Sequence, residues 1–410
     1  MGNGFIETSD GNVKMERIIE LFFKAANMQR WNDHIRPVNL VELDKQAHKI
    51  VISYIIAKTE ECENREINWI DLIDRFLFDF FYRIVLTDLK PPIFHKMMDK
   101  KEKELNRYVL SVVEPKLNDF DPDFADKFKD YVNSNKNSFE DDILKASHYI
   151  ATNWEFKIVY NSAPFIYGID KTKEDIEKRI EDHFDLKGVQ RIFWDRRLHG
   201  FIDLCGQLRF QKRWAYIPRV PETSVLGHML MVAIISYLFS MNSIKNPCNK
   251  RLYNNFFGGL FHDLPEVLTK DIISPIKKSV EGLDELIKEY EIYQMENEIL
   301  PLIPETWGKE LKYLTEDEFD NKILEKGKAK KVSSTGEFNE DKYSPVDGEL
   351  IEVADKLSAY MEAIISIRHG VRSKELENAS EEIKKEFSSK KIPNLDVNSI
   401  YENMEKIIKE

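Results

Sequence analysis

The chain repeats itself, and this constrains its fold more than any single segment does. Within 410 residues, Arg30-Trp31 aligns with Arg213-Trp214, His48 with His228, and Val85-Leu86-Thr87 with Val267-Leu268-Thr269, all at offsets between 180 and 183 positions. A match that keeps its offset over so long a stretch is the mark of a tandem repeat, and a repeat fixes the architecture of both copies together. Farther along, Ala146 pairs with Ala354, Gly168 with Gly370 and Phe184 with Phe387, at offsets of 202 to 208. The jump places about 26 extra residues in the second copy before Ala354. The charged, Gly- and Ser-containing stretch from Thr315 to Asp347 has the composition of that insertion, a surface excursion. Two domains follow, residues 1–190 and 191–410, each long enough to bury its own core.

Both copies read as helices. Ile18, Ile19, Leu21, Phe22 and Ala25, and later Leu350, Ile351, Val353, Ala354, Leu357 and Met361, recur at spacings of three and four, and alternating strand patterns are scarce. Pro91-Pro92, Pro221, Pro301 and Pro304 punctuate the helices, so an all-α protein is expected. With 42% hydrophobic and 32% charged residues the chain is globular rather than disordered. The net charge of −12 argues against a duplex nucleic-acid footprint, which needs clustered Lys and Arg, so an anionic partner must be gripped locally. The basic cluster from Lys326 to Lys331 is short and reads as a solvated loop. Cys62, Cys205 and Cys248 are odd in number and far apart, which indicates neither a disulfide framework nor a thiolate metal site. No secretory pattern opens the chain, and a cytoplasmic location is expected. The uncharged run from Thr223 to Ile244 is long enough to cross a bilayer, but it contains His228 and several Ser residues and reads as a buried core helix, with no membrane partner.

Four metal-capable residues in the second copy stand in apolar surroundings: His228, the adjacent His262-Asp263, and Asp355. An ionised carboxylate on the apolar face around Asp355 would cost several kcal/mol without a partner, on the order of any unpaired buried charge, and a cation relieves that cost. Two imidazoles and two carboxylates make a mixed nitrogen and oxygen set that suits one divalent ion, Mn²⁺, Co²⁺, Mg²⁺, Fe²⁺ or Zn²⁺. Such an ion lowers the pKa of a bound water and polarises a phosphoryl oxygen, which is hydrolytic chemistry. Glu266 follows Asp263 by three positions; on a continuous helix it shares the same face and can orient or deprotonate the attacking water. Arg213-Trp214 offers a planar guanidinium for a phosphate and an aromatic plane for a sugar or base.

These segments, Arg213-Trp214, then Pro221 to His228, then His262-Asp263-Leu264-Pro265-Glu266-Val267-Leu268-Thr269-Lys270-Asp271, then Ala354 to Tyr360, resemble the HD-domain phosphohydrolases. Within that superfamily they are most similar to the bacterial 5′-deoxynucleotidase branch. The resemblance covers roughly residues 200 to 370 and implies a helical domain holding one divalent ion on His228, His262, Asp263 and Asp355. It implies Glu266 as the catalytic carboxylate, with Arg213, Trp214, Asp271 and Ser274 on the substrate. Many relatives carry a carboxylate immediately before the first His, where this chain has Gly227, so support for His228 must come from elsewhere.

The repeat offset carries the motif onto the first copy differently. His262-Asp263 falls on Phe80-Phe81, Glu266 on Ile84 and Asp355 on Ser147, with only His48 retained, so the first copy is expected to be degenerate and metal-free. The two copies are expected to pack as an internal pseudo-dimer, with further homo-oligomerisation left open. The function implied is a metal-dependent phosphohydrolase, a 5′-nucleotidase-like phosphomonoesterase acting on nucleoside or deoxynucleoside 5′-monophosphates. The alternatives are the same site acting on a deoxynucleoside triphosphate, an alarmone or a cyclic nucleotide, and a non-catalytic nucleotide sensor.

Overall fold

A computed structural model describes residues 13–87, 91–269 and 282–409. The first half contains α1 (Val13–Phe23), α2 (Glu42–Cys62), α3 (Trp69–Leu86), α4 (Pro91–Phe120), α5 (Pro122–Asn133), α6 (Phe139–Ser162), α7 (Ile169–Glu181) and α8 (Lys187–Trp194). The second contains α9 (Arg196–Gln207), α10 (Val225–Ser243), α11 (Asn249–Phe261), α12 (Glu266–Thr269), α13 (Leu283–Gln294), α14 (Glu305–Thr315), α15 (Gly348–Arg368), α16 (Lys374–Phe387) and α17 (Val397–Lys409). Extended structure among the described residues is confined to two short antiparallel ladders, Gln29–Arg30 with Leu40–Val41 and Lys322–Glu325 with Lys328–Lys331, and to a few isolated bridges. The protein is all-α. Its helices start where short polar side chains satisfy free backbone N–H groups: Asn68 accepts from Asp71, Asp195 from Arg197, Ser224 from Gly227, and Ser138 and Asp141 form a reciprocal box. A boundary at 190 would cut α8; the helical break falls at Asp195.

The two halves share local geometry closely. In each, an Arg-Trp pair follows the first residue of a short bridge, Gln29 to Val41 and Lys212 to Ser224, and the residue after the bridge begins α2 or α10. Trp31 and Trp214 both adopt left-handed backbone angles, φ 54° and 58°, which bulky residues avoid. Each indole N–H donates to a buried carboxylate, Glu155 in the first half and Glu362 in the second. Arg36 donates to the Arg30 carbonyl as Arg219 does to that of Arg213.

This geometry sets a register that differs from the sequence-based one. The Arg-Trp pairs and the starts of α2 and α10 are all related by 183 positions, so the counterpart of His228 is Lys45 rather than His48. Glu155 and Glu362 lie 207 apart, so the counterpart of Asp355 is His148 rather than Ser147. Where His228 Nε2 lies 2.8 Å from Asp355 Oδ1, Lys45 Nζ lies 2.6 Å from His148 Nδ1. By the shift of 183, His262, Asp263 and Glu266 correspond to Asp79, Phe80 and Arg83. His48 is instead a buried core histidine bonded to the Ile202 carbonyl.

Helix α10 carries the uncharged run, and its side chains from Val225 to Ser240 are all buried, against α2, α11 and α15 among others. It is long and apolar enough to cross a membrane, but the fold itself covers most of it. The hydrophobic core is continuous across the halves: Tyr54 of α2 packs on Phe257 of α11 at 5.1 Å, and Tyr237 of α10 donates to Asp74 of α3 at 2.6 Å. At the crossing of α2 and α10, Gly227 leaves room for Asp44, whose Oδ1 would lie 2.7 Å from a Cβ there. Asp44 instead accepts a 2.6 Å hydrogen bond from Ser224, the cap of α10.

The insertion is more than a surface excursion. Its Lys-rich strand Lys328–Lys331 is exposed as expected, but Ile323 and Val346 are buried and Asp347 forms a buried pair with Arg251. Residues 316–319 face the pocket described next.

Candidate metal centre

Each part of the site is set by its own element. His228 sits one turn into α10, 1% exposed, held from behind by Ser358 Oγ at 3.1 Å from Nδ1. His262 caps α11, and its Nδ1 lies 2.8 Å from the Gly259 carbonyl, which can only accept. That contact keeps a proton of His262 on Nδ1, and Ser358 provides an acceptor for an Nδ1 proton of His228, so each Nε2 is the nitrogen left to face a cation once its own proton is displaced. Nitrogen and oxygen atoms of His228, His262 and Asp355 lie within 4.8 Å of one another. Asp263 joins them, its Oδ2 3.2 Å from His262 Nε2 and 3.9 Å from His228 Nε2. His262 Nε2 is buried without a well-aligned hydrogen bond, as suits a nitrogen that takes a cation. The residues present fit a divalent ion.

The electrostatics point the same way. Burial disfavours a charged His262, but the adjacent Asp263 carboxylate overrides this and lifts its pKa to about 9. Asp355 and Asp263 are held below the ordinary carboxylate range despite burial, by Lys356 and His228 and by His262 and Arg213 respectively. Anionic oxygens packed this closely demand positive charge, here drawn from imidazole and ammonium protons.

These groups open onto a pocket of about 230 Å³. Arg213, Glu266 and Lys356 line it together with His262, Asp263 and Asp355, as do Glu316 to Phe319 and residues of α13. The helix expected to carry His262 through Glu266 is interrupted: α11 ends at Phe261, a turn contains Pro265, and Glu266 opens α12. The turn still brings Glu266 to the pocket. Arg213 also faces it, 3.7 Å from Asp263, with its Nε 3.3 Å from Glu362. Trp214 is not among the lining residues; its indole N–H is bound to Glu362 at 2.7 Å. Asp271 and Ser274 lie outside the described residues.

Sequence reasoning missed Ser358, Glu362, Lys356 and the insertion wall. Ser358 and Glu362 stand three and seven positions after Asp355 and share its helical face, the one signal that could have singled them out. They supply the support for His228 that Gly227 does not.

Residues 205–384 match the family described as HD domain. A 5′-deoxynucleotidase of Vibrio atlanticus is 22% identical over 207 residues, which cover 49% of this chain and 90% of the relative. A 5′-deoxynucleotidase of Photobacterium profundum is 24% identical over 204 residues, covering 48% and 89%. With the candidate ligands gathered on α10, α15 and the turn that follows α11, the second half of this chain is an HD domain, akin to the 5′-deoxynucleotidases.

Proposed function

We propose that the chain is a metal-dependent phosphomonoesterase that hydrolyses deoxynucleoside 5′-monophosphates to nucleoside and phosphate. The observation that carries this reading is the convergence of His228, His262 and Asp355 within 4.8 Å, with Asp263 beside them, at the back of a pocket that also presents Glu266 and Arg213. A divalent ion held by those four residues supplies Lewis-acid polarisation of the phosphoryl group and a more acidic water. In this reading Glu266, which lines the pocket, accepts the proton of the water that attacks phosphorus, and Arg213, which also lines it, holds the phosphate oxygens while the bond to the 5′ oxygen breaks. One further finding supports the monophosphate: the 5′-deoxynucleotidase activity for which both relatives are named.

The test is phosphate release from a panel of ribo- and deoxynucleoside mono-, di- and triphosphates with Mn²⁺, Co²⁺, Mg²⁺ and Zn²⁺ in turn. Asp263→Ala should lose both bound metal and turnover. Glu266→Gln should keep the metal and lose about 10²-fold or more in kcat, the usual worth of a general base. Turnover retained by either variant would sink the mechanism.

The first half, by this proposal, serves as a built-in partner subunit without a metal, its α2 and α3 packed on α10 and α11. The three free thiols fit a reducing, cytoplasmic setting.

A further inference from the structure

Glu362 lies in α15 two turns beyond Asp355 and is 1% exposed. Its Oε2 accepts from Trp214 Nε1 at 2.7 Å and from Arg213 Nε at 3.3 Å. Its Oε1 accepts from Thr223 Oγ1 at 2.9 Å and lies 3.6 Å from His228 Nδ1, and Arg219 Nη1 stands 3.8 Å from Oε2. A single buried carboxylate thus touches the arginine of the pocket, the tryptophan beside it, the residue before the cap of α10, and the back of a metal-ligand imidazole. We propose that Glu362 is the positioning residue of this site, holding Arg213 away from Asp263 and His228 toward the cation. The proposal rests on the metal-dependent phosphohydrolase reading.

The alternative pairing open to Arg213 gives the proposal its physical content. Arg213 Nη1 is already 3.7 Å from Asp263 Oδ2. Without an anion at 362 the pull of Asp263 on the guanidinium is no longer balanced, and Asp263 is a metal ligand. An arginine drawn onto Asp263 would compete with the cation for the same oxygen and would no longer present its fork to a phosphate. Glutamine can turn its amide nitrogen toward the Thr223 hydroxyl and its oxygen toward Trp214 and Arg213, but it removes the negative charge that faces the guanidinium.

The first half contains a control. Glu155, fully buried in α6, accepts from Arg30 Nε at 2.8 Å, Trp31 Nε1 at 3.0 Å and Arg209 Nη1 at 2.8 Å, with Lys45 and His148 where the ligands would be. A merely structural role predicts the same outcome for both carboxylates.

The experiment compares wild type, Glu362→Gln, Glu362→Asp and Glu155→Gln in the full chain, reading Mn²⁺ affinity by calorimetry, thermal stability, and kcat and KM for a deoxynucleoside monophosphate. Glu362→Gln should weaken Mn²⁺ binding by about tenfold or more, as loss of support behind a ligand usually does, and raise KM more than it lowers kcat. Glu155→Gln should lower thermal stability while leaving Mn²⁺ affinity and KM at wild-type values. Wild-type Mn²⁺ affinity and KM in Glu362→Gln overturn the proposal. If that variant does not fold, Glu362→Asp decides: it keeps the charge but shortens its reach, so Mn²⁺ affinity should fall several-fold, and an unchanged value overturns the proposal equally. Weakened Mn²⁺ binding in a chain that releases no phosphate would instead reject the phosphohydrolase reading and leave the positioning role standing.

Discussion

Gly227 and Asp44 show how closely single residues are fitted between the halves. A methyl group at 227 would stand 2.7 Å from Asp44 Oδ1, closer than real Cβ atoms come, and a tight 3.1 Å from Leu43 Cδ2. Replacing glycine inside a helix ordinarily stabilises by about 1 kcal/mol. Here Gly227→Ala should instead destabilise by about 1–3 kcal/mol, the usual effect of overpacking. Combining it with Asp44→Gly should recover part of the loss, a coupling of about 1 kcal/mol in a double-mutant cycle followed by urea denaturation; strictly additive effects would show that the two do not meet. At this scale the cluster was legible in the sequence, because His228, His262-Asp263 and Asp355 stand in an ordered motif, and the fold brings these candidate ligands together. Ser358 and Glu362 were not legible, since a polar residue on a helix face announces no partner until the neighbouring loop is folded against it.

Helix α1 shows an effect of element packing on stability. It contacts α17 near the end of the chain, and this places Glu16 out of solvent with a 3.4 Å hydrogen bond from the Asn403 side chain. Burial pushes the Glu16 carboxyl up to about 7 from its ordinary 4.5. Below pH 4.5 the acid is protonated folded or unfolded and contributes nothing to pH dependence. Between 4.5 and 7 the unfolded chain releases the proton while the folded chain keeps it, so stability falls as pH rises, by about 3 kcal/mol in all. Glu16→Gln should therefore be more stable than wild type at pH 8, with the advantage fading toward pH 4.5 in denaturant titrations at the two values. A gain equal at both would disprove the assignment. Helix periodicity was plain in the sequence, but the break between α11 and α12 was not, because the turn keeps nearly helical spacing through Pro265.

For the whole molecule, the two halves differ in what fills equivalent places. The second sets His228 against Asp355, a pair that fits a cation; the first sets Lys45 against His148, with no carboxylate in the pair. Chelation should accordingly loosen one half only. Amide exchange with and without EDTA should quicken in residues 225–265 and 350–366 and stay unchanged in α2 and α6, and equal acceleration in both would contradict a metal-free first half. Local likeness between the halves was suggested by the sequence, yet the register of the shared Arg-Trp turn could not be read from identities. His48 resembles His228 by type, whereas the start of each helix, set by the bridge before it, pairs His228 with Lys45.

The pocket wall from Glu316 to Phe319 hangs from a hairpin outside the helices that carry the cation ligands. None of the candidate ligands lies in this segment, but the Phe319 ring stands 6.2 Å from that of His262. Selectivity can be retuned at 316 and 317 from outside the metal centre, whereas a change at 319 reaches the His262 imidazole as well.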